Sequence, residues 1–114
     1  MKKCYISGAI EHYDIKERRA KFAEAAKEVE STFGMKGVNP FENELWKSGK
    51  GETAHWREHM KADIKALLGC DCIYMLQGWE LSKGAKLEFD VATSCGIPVV
   101  FQTDNLEKLI DIKK

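Results

Sequence analysis

Glu88 is a carboxylate where an apolar side chain belongs. At about 100° per residue, the helical stretch around it groups Gly84, Leu87, Val91, Ala92 and Cys95 on one face, with Glu88 between Gly84 and Ala92. Two readings stand for such a residue: a structural glutamate with a packed stem and its head at the edge, or a poorly solvated group available for chemistry. Its place within the first two turns of the helix favours the second. There the positive end of the helix dipole supports the ionised form, while partial burial supports the neutral one. Asp63 is a second anomaly of this kind. It projects near Trp56 and Leu67 at the margin of another helix's apolar stripe, although aspartate is a poor helix-interior residue without a partner. A solvated edge position is the plain alternative for Asp63 alone, but two inward-leaning carboxylates on separate helices point to a shared site. Ser82, Lys83 and Gly84 open the Glu88 helix. Ser82 suits the N-cap, and the free backbone N–H groups there, with Gly84 permitting close approach, suit a phosphate or other ligand oxygen. Lys83 either adds charge to such a site or is solvated.

The elements that must position these residues follow from the hydrophobic pattern. Lys3 to Ser7 is a short β-prone run ending at Gly8. From Asp14 to Phe33, Ile15, Phe22, Ala26, Val29 and Phe33 recur at helical spacing, and Gly34 closes the helix. Val38-Asn39-Pro40 predicts a brief strand cut off by proline, and Phe41 to Gly51 a polar loop. A second helix is expected from Ala54 to Leu68, capped by Thr53, stopped by Gly69, and packing Trp56, Met60, Ile64 and Leu67 inward. Asp71 to Leu76 has the continuous apolar character of a central strand covered on both faces. The loop Gln77 to Ser82, a helix to about Ser94, a strand from Ile97 to Phe101 and a last helix from Leu106 to Ile112 complete the pattern. Alternating strands and helices predict a single α/β domain over residues 1–114, a flavodoxin/Rossmann-like three-layer sandwich. Its parallel sheet should hold about four to five strands, with helices on both faces. Ligands in such sheets bind outside the carboxyl ends of the strands. That singles out the loops Gly8 to Tyr13, Phe41 to Gly51 and Gln77 to Ser82.

Composition excludes several function classes. Lysine plus arginine, 18, balances aspartate plus glutamate, 18, so no basic excess marks a nucleic-acid polymer or an acidic membrane as partner. Cys4, Cys70, Cys72 and Cys95 form no C-x-x-C pair and are expected as reduced core thiols. No stretch approaches the ~20 apolar residues of a membrane span, and a cytoplasmic protein is expected. Two motifs mimic known chemistry. His55-Trp56-Arg57-Glu58-His59 has the H-x-x-E-H spacing of inverted zinc proteases, with Asp63 continuing the same helix side, but zinc needs a third ligand and an open position. Ser48 to Thr53 superficially resembles a phosphate loop without its residue order or a preceding strand, and is expected as a mobile surface loop.

With these residues placed, the chain resembles the nucleoside 2-deoxyribosyltransferase-like superfamily, in particular its small members of unassigned function (the DUF4406 group) and its nucleotide N-glycosidase branch. The resemblance runs from Cys4 to about Phe101. It rests on Tyr5-Ile6-Ser7-Gly8, on Val38-Asn39-Pro40, on Asp63 ahead of Asp71, on Cys70 to Leu76, and on Gly78-Trp79-Glu80-Leu81-Ser82-Lys83-Gly84-Ala85 leading to Glu88. It implies that Glu88 attacks the anomeric carbon of a 2-deoxyribosyl group to give a covalent glycosyl-enzyme, resolved by water or a second base. Tyr5 would orient Glu88, and Asp63 would contact the sugar or assist departure of the base. Gly8, Trp79, Ser82, Lys83 and Gly84 would bind substrate, with Ser82 at the position of a phosphate-contacting serine of the nucleotide hydrolases. The chain departs from those hydrolases in its first loop, where Ala9 and Glu11 stand in place of serine and arginine. Glu11 would repel a phosphate. In relatives a neighbouring subunit's C-terminal segment completes the pocket, for which Asp104 and Asn105 are the nearest candidates, so a homodimer or higher homo-oligomer is implied.

The expected activity is therefore cleavage or transfer at the N-glycosidic bond of a (deoxy)nucleoside or nucleoside 5′-monophosphate, without metal or organic cofactor. The alternatives are a non-catalytic nucleotide-binding or sensing protein of the same fold and a metal-dependent hydrolase using His55 and His59.

Overall fold

A computed structural model describes residues 2–10 and 13–102, with Phe33 through its backbone alone. The expected helix from Leu106 to Ile112, and Glu11, Asp104 and Asn105, lie outside the described residues. Along the chain come β1 (Lys3–Ser7), α1 (Ile15–Phe33), β2 (Lys36–Val38), a 3-10 turn (Pro40–Glu42), α2 (Glu44–Lys47), α3 (Trp56–Leu68), β3 (Cys72–Met75), a second 3-10 turn (Trp79–Leu81), α4 (Lys83–Ser94) and β4 (Val99–Phe101).

The four strands form one parallel sheet in the order β2-β1-β3-β4, so the architecture is α/β and of the flavodoxin/Rossmann-like kind. The chain leaves β1 to one side through α1 and β2, then crosses to β3 on the other side. The direction of winding therefore reverses between β1 and β3, and a crevice opens at their carboxyl ends. In register, Cys4 pairs with Cys72 and Ser7 with Met75.

Strand alternation sorts the core into two layers. Cys4, Ile6, Cys72 and Tyr74 face α1, where Phe22, Ala25 and Val29 cover them. Tyr5, Ile73 and Met75 face the opposite way, against Leu67 of α3 and Ala85 and Ala92 of α4. Because Tyr5 and Ser7 are two residues apart on β1, both belong to the face turned toward α3 and α4. Phe22 meets Phe41 edge-on at 5.2 Å between ring centroids, carrying the first layer out under the segment after β2. Asp14 caps α1 by accepting from the Lys16 N–H, and Gly34 ends it in the left-handed conformation at φ 66°.

Several boundaries differ from expectation for local reasons. β2 ends at Val38, not Pro40, because the Asn39 side chain accepts from the Phe41 N–H and starts the 3-10 turn instead. The segment from Phe41 to Gly51, expected as a polar loop, holds most of that turn and all of α2. α3 begins at Trp56, not Ala54. Thr53 does not cap it; the Thr53 hydroxyl donates to the Lys50 carbonyl, and His55 takes the cap position without a side-chain bond. The Ser48–Thr53 stretch is not simply a surface loop, since Gly51 is buried against the Trp46 ring. Cys4, Cys70 and Cys72 are buried free thiols, but Cys95 is exposed because it caps the end of α4, past its inward row.

Candidate active site

The inward row of α4 is Ala85, Glu88 and Ala92, while Leu87 and Val91 are half-buried and Cys95 is exposed. Glu88 and Ala92 thus face inward as the helical spacing predicts, Ala85 joins them, and Leu87, Val91 and Cys95 lie to the side or outside. On α3 the buried residues are Met60, Asp63 and Leu67, which puts Asp63 in the middle of the inward face and not at its margin; Trp56 and Ile64 are half-buried. Both carboxylates sit on helices packed against the same sheet face, and the side chains of Tyr5 and Ser7 rise from β1 beneath Glu88.

Glu88 is 5% exposed. The Tyr5 hydroxyl donates to its Oε2 at 2.8 Å and the Ser7 hydroxyl donates to its Oε1 at 2.5 Å. Both oxygens are therefore held by O–H donors from one strand, which fixes the plane of the carboxyl group. Burial pushes the Glu88 pKa up to about 8, the Asp63 charge adds to the rise, and the two hydroxyls oppose it. Burial likewise pushes Asp63 up to about 7, opposed by the hydrogen bond in which Asn43 Nδ2 donates to Asp63 Oδ1 at 3.1 Å. Tyr5, fully buried beside these groups, is held well above its ordinary value first by burial and then by the Glu88 and Asp63 charges, so it remains a phenol and a donor.

Glu88 and Asp63 border a cavity of about 760 Å³ at the carboxyl ends of β1 and β3, ample for a nucleotide-sized ligand. Glu88, Asp63, Gly8 and Ala85 form its polar and small-residue floor, and Ser82, Lys83 and Gly84 its border at the start of α4. Trp46, Trp56, His59, Phe22 and Tyr13 supply aromatic wall. Ser82 caps α4 by accepting from the Ala85 N–H at 3.1 Å, which leaves its own hydrogen free to donate. Lys83 lies over the Trp56 ring, Nζ to centroid 4.2 Å. The free space at Gly8 is limited beneath it: a Cβ there would stand 3.0 Å from the Leu76 Cβ.

Not every expected residue converges on this cavity. Trp79 stacks on Phe89 at 4.9 Å and on Phe101 at 5.8 Å, lines a separate smaller cleft, and does not reach the Glu88 cavity. Asn105 lies outside the described residues. Tyr5 touches Glu88 from behind and is not part of the cavity wall. The histidines do not form a metal centre with Asp63. His59 Nε2 lies 2.7 Å from the Gly51 carbonyl and its ring leans on Trp46, His55 is exposed, and no metal-holding cluster occurs among the described residues.

Three contributors escaped the sequence reading. Ser7 had a usable signal, its two-residue spacing from Tyr5 on one strand. Asn43 and Trp46 had only the coarse signal of lying in the Phe41 to Gly51 segment at the carboxyl edge of the sheet, because the path of that segment over the site is set by tertiary contacts: Trp46 packs on Phe41 at 4.9 Å and on His59 at 5.5 Å.

Comparison with known proteins matches residues 2–101 to a family model described as a domain of unknown function (DUF4406). No curated protein and no solved structure matches the chain. Among the described residues no helix is long and apolar enough to cross a membrane.

Proposed function

The chain belongs to the DUF4406 family, and from the chemistry of its cavity we propose that it cleaves or transfers the N-glycosidic bond of a (deoxy)nucleoside or nucleoside 5′-monophosphate through a covalent glycosyl-enzyme on Glu88. The observation that carries this reading is Glu88 itself: a buried carboxylate clamped on both oxygens by Tyr5 and Ser7 at the floor of an aromatic-walled cavity, with a second raised carboxylate, Asp63, in the same cavity. A close, weakly hydrated carboxylate is what an oxocarbenium-like transition state demands, and the rings of Trp46, Trp56, His59 and Tyr13 suit a planar base.

The reaction needs Glu88 ionised and Asp63 protonated. Glu88 Oε attacks the anomeric carbon as the bond from that carbon to the base nitrogen breaks, and the bonding pair leaves with the base. Asp63 gives its proton to the departing base. In the second step water, or a second base in a transfer, attacks the anomeric carbon, its proton passes to Asp63, and Glu88 leaves as the carboxylate. Two inversions retain configuration.

Burial raises both carboxyl groups, so near neutral pH they titrate as a pair that holds one proton between them. The two hydroxyls that donate to Glu88, and the positive charge developing at the anomeric carbon, favour an ionised Glu88 with the proton on Asp63. Ser82 and Lys83 border the cavity where a 5′ substituent would lie, which supports a monophosphate, while Glu52 on the wall opposes one. A homo-oligomer acting in the cytoplasm is part of the same reading.

A panel of deoxynucleosides, ribonucleosides and their monophosphates, assayed for base release by chromatography with wild type and Glu88→Ala, tests the proposal. Release that disappears with Glu88→Ala, together with a protein mass gain of one glycosyl group under rapid quench, is the expected result. Tight nucleotide binding with no base released would support the sensing reading instead, a protein of this fold that keeps the cavity without turnover.

A further inference from the structure

Asn43 is joined to two things at once. Its Oδ1 accepts from the Trp46 N–H at 3.2 Å, capping α2, and its Nδ2 donates to Asp63 Oδ1 at 3.1 Å. The cap settles which way the amide points: a backbone N–H needs an acceptor, so the oxygen faces Trp46 and the NH2 faces Asp63. Asn43 is itself fixed by its own N–H, which donates to the Pro40 carbonyl at 3.2 Å. Among the described residues only Asn43 donates to Asp63, so Oδ2 is the oxygen left for the cavity that Asp63 lines.

We propose that Asn43 is a positioning residue for the reaction: by donating to Oδ1 it keeps that oxygen an acceptor and leaves Oδ2, facing the cavity, as the oxygen that carries and delivers the proton. An oxygen already receiving an N–H cannot carry its own proton toward that donor without losing the bond. Without Asn43 the carboxyl group can turn over and present either oxygen. The same contact ties the proton donor to the segment that brings Trp46 to the cavity wall, so acid and wall are set by one side chain. The other titratable or charged groups around Asp63 are Glu88 and Lys83 from α4, Tyr5 from β1, His59 from its own helix and Glu52 from the segment before α3. None of them donates to Asp63.

The role in proton delivery rests on the glycosidic reading, but the hydrogen bond can be tested without turnover. Two variants keep the α2 cap and differ in what they show Asp63. Asn43→Ser caps α2 but is too short to reach Asp63, and Asn43→Asp caps it while offering a carboxylate in place of the NH2. Titration of carboxyl-labelled aspartate by carbon NMR, assigned with Asp63→Asn, reads the Asp63 proton directly. Asn43 favours the ionised form, so its loss should raise the midpoint, by roughly one pH unit for Asn43→Ser and further for Asn43→Asp. Base release by Asn43→Ser should fall about tenfold in kcat, with KM little changed and the pH optimum of kcat displaced upward along with the NMR midpoint. Trp46 fluorescence reports whether the cap is intact. An Asp63 midpoint that stays at its wild-type pH in both variants, with the cap retained, overturns the proposal. Absence of base release from wild type would instead defeat the glycosidic reading and leave the titration to decide the role of Asn43.

Discussion

The Tyr5 hydroxyl donates to Glu88 Oε2 at 2.8 Å, bridging 83 residues of sequence between the middle of β1 and the second turn of α4. Ser7, two residues along the same strand face, donates to the other oxygen. Both donors favour the ionised carboxylate, so Tyr5→Phe and Ser7→Ala should each raise the Glu88 pKa further. The pH optimum of kcat/KM should then move to higher pH in both variants. Loss of the clamp also frees the carboxyl plane, and kcat should drop about ten- to hundredfold. An optimum that moves downward or not at all would show that these hydroxyls do not act on an ionised Glu88.

Asp63→Asn removes the proton donor and keeps the shape. Base release from ordinary nucleosides should fall about a hundredfold or more. A substrate whose leaving group departs without protonation should recover most of that loss, because only base departure needs the Asp63 proton. Equal losses on both substrates would assign Asp63 to sugar contact and not to acid catalysis.

Much of this site is visible in the sequence, because polarity in the wrong place on a periodic element survives without coordinates. Glu88 stands out on the α4 wheel, and Asp63 stands out on α3. Ser7 is recoverable from strand alternation once Tyr5 is suspected. The sequence is silent where position depends on contacts between segments. Asn43 lies 20 residues from Asp63 in a polar stretch, and nothing local says that its amide crosses to α3. Trp79 misled for the converse reason: it stands next to the cavity-bordering turn in sequence, but stacking on Phe89 and Phe101 draws it to the other side of α4. The shift of the α3 start to Trp56 has a similar origin, since Thr53 satisfies its hydroxyl within the preceding turn.

Trp79 therefore separates packing from recognition. Trp79→Ala should cost roughly 2 kcal/mol in urea unfolding, the price of losing two ring contacts and half-buried apolar area. Nucleotide affinity, measured by calorimetry under conditions where the variant is folded, should stay within about twofold of wild type. A large loss of affinity at full folding would return Trp79 to the binding site.

Gly51 sets the position of the Trp46 wall. A Cβ at residue 51 would fall 2.0 Å from Trp46 Cε3, so the ring must move. Gly51→Ala should raise KM or ligand Kd about tenfold while leaving the Tyr5–Glu88 clamp, on the far side of the cavity floor, unaltered. The pH dependence of kcat should accordingly match wild type, and a displaced profile would mean that Trp46 also influences the carboxylates.

Glu88 should cost the fold stability at the pH where it is needed. Its pKa rises from 4.5 to about 8 on folding because burial penalises the charge, so the folded state holds a proton that the unfolded chain releases. The carboxyl group is best tolerated below about pH 4.5, and stability drains away as pH rises from there through about 8. Asp63, raised from 3.8 to about 7, acts in the same direction. Glu88→Gln removes the ionisable group, can still accept from one hydroxyl, and lets the other rotate to accept from the new NH2. The variant should be inactive and more stable than wild type, by on the order of 3 kcal/mol at pH 8, with the advantage shrinking toward zero near pH 4.5. Urea unfolding of both proteins across that range measures the difference. A constant or reversed gap would mean that Glu88 is solvated in the folded state, and a solvated Glu88 would remove the basis for assigning it the nucleophile's role.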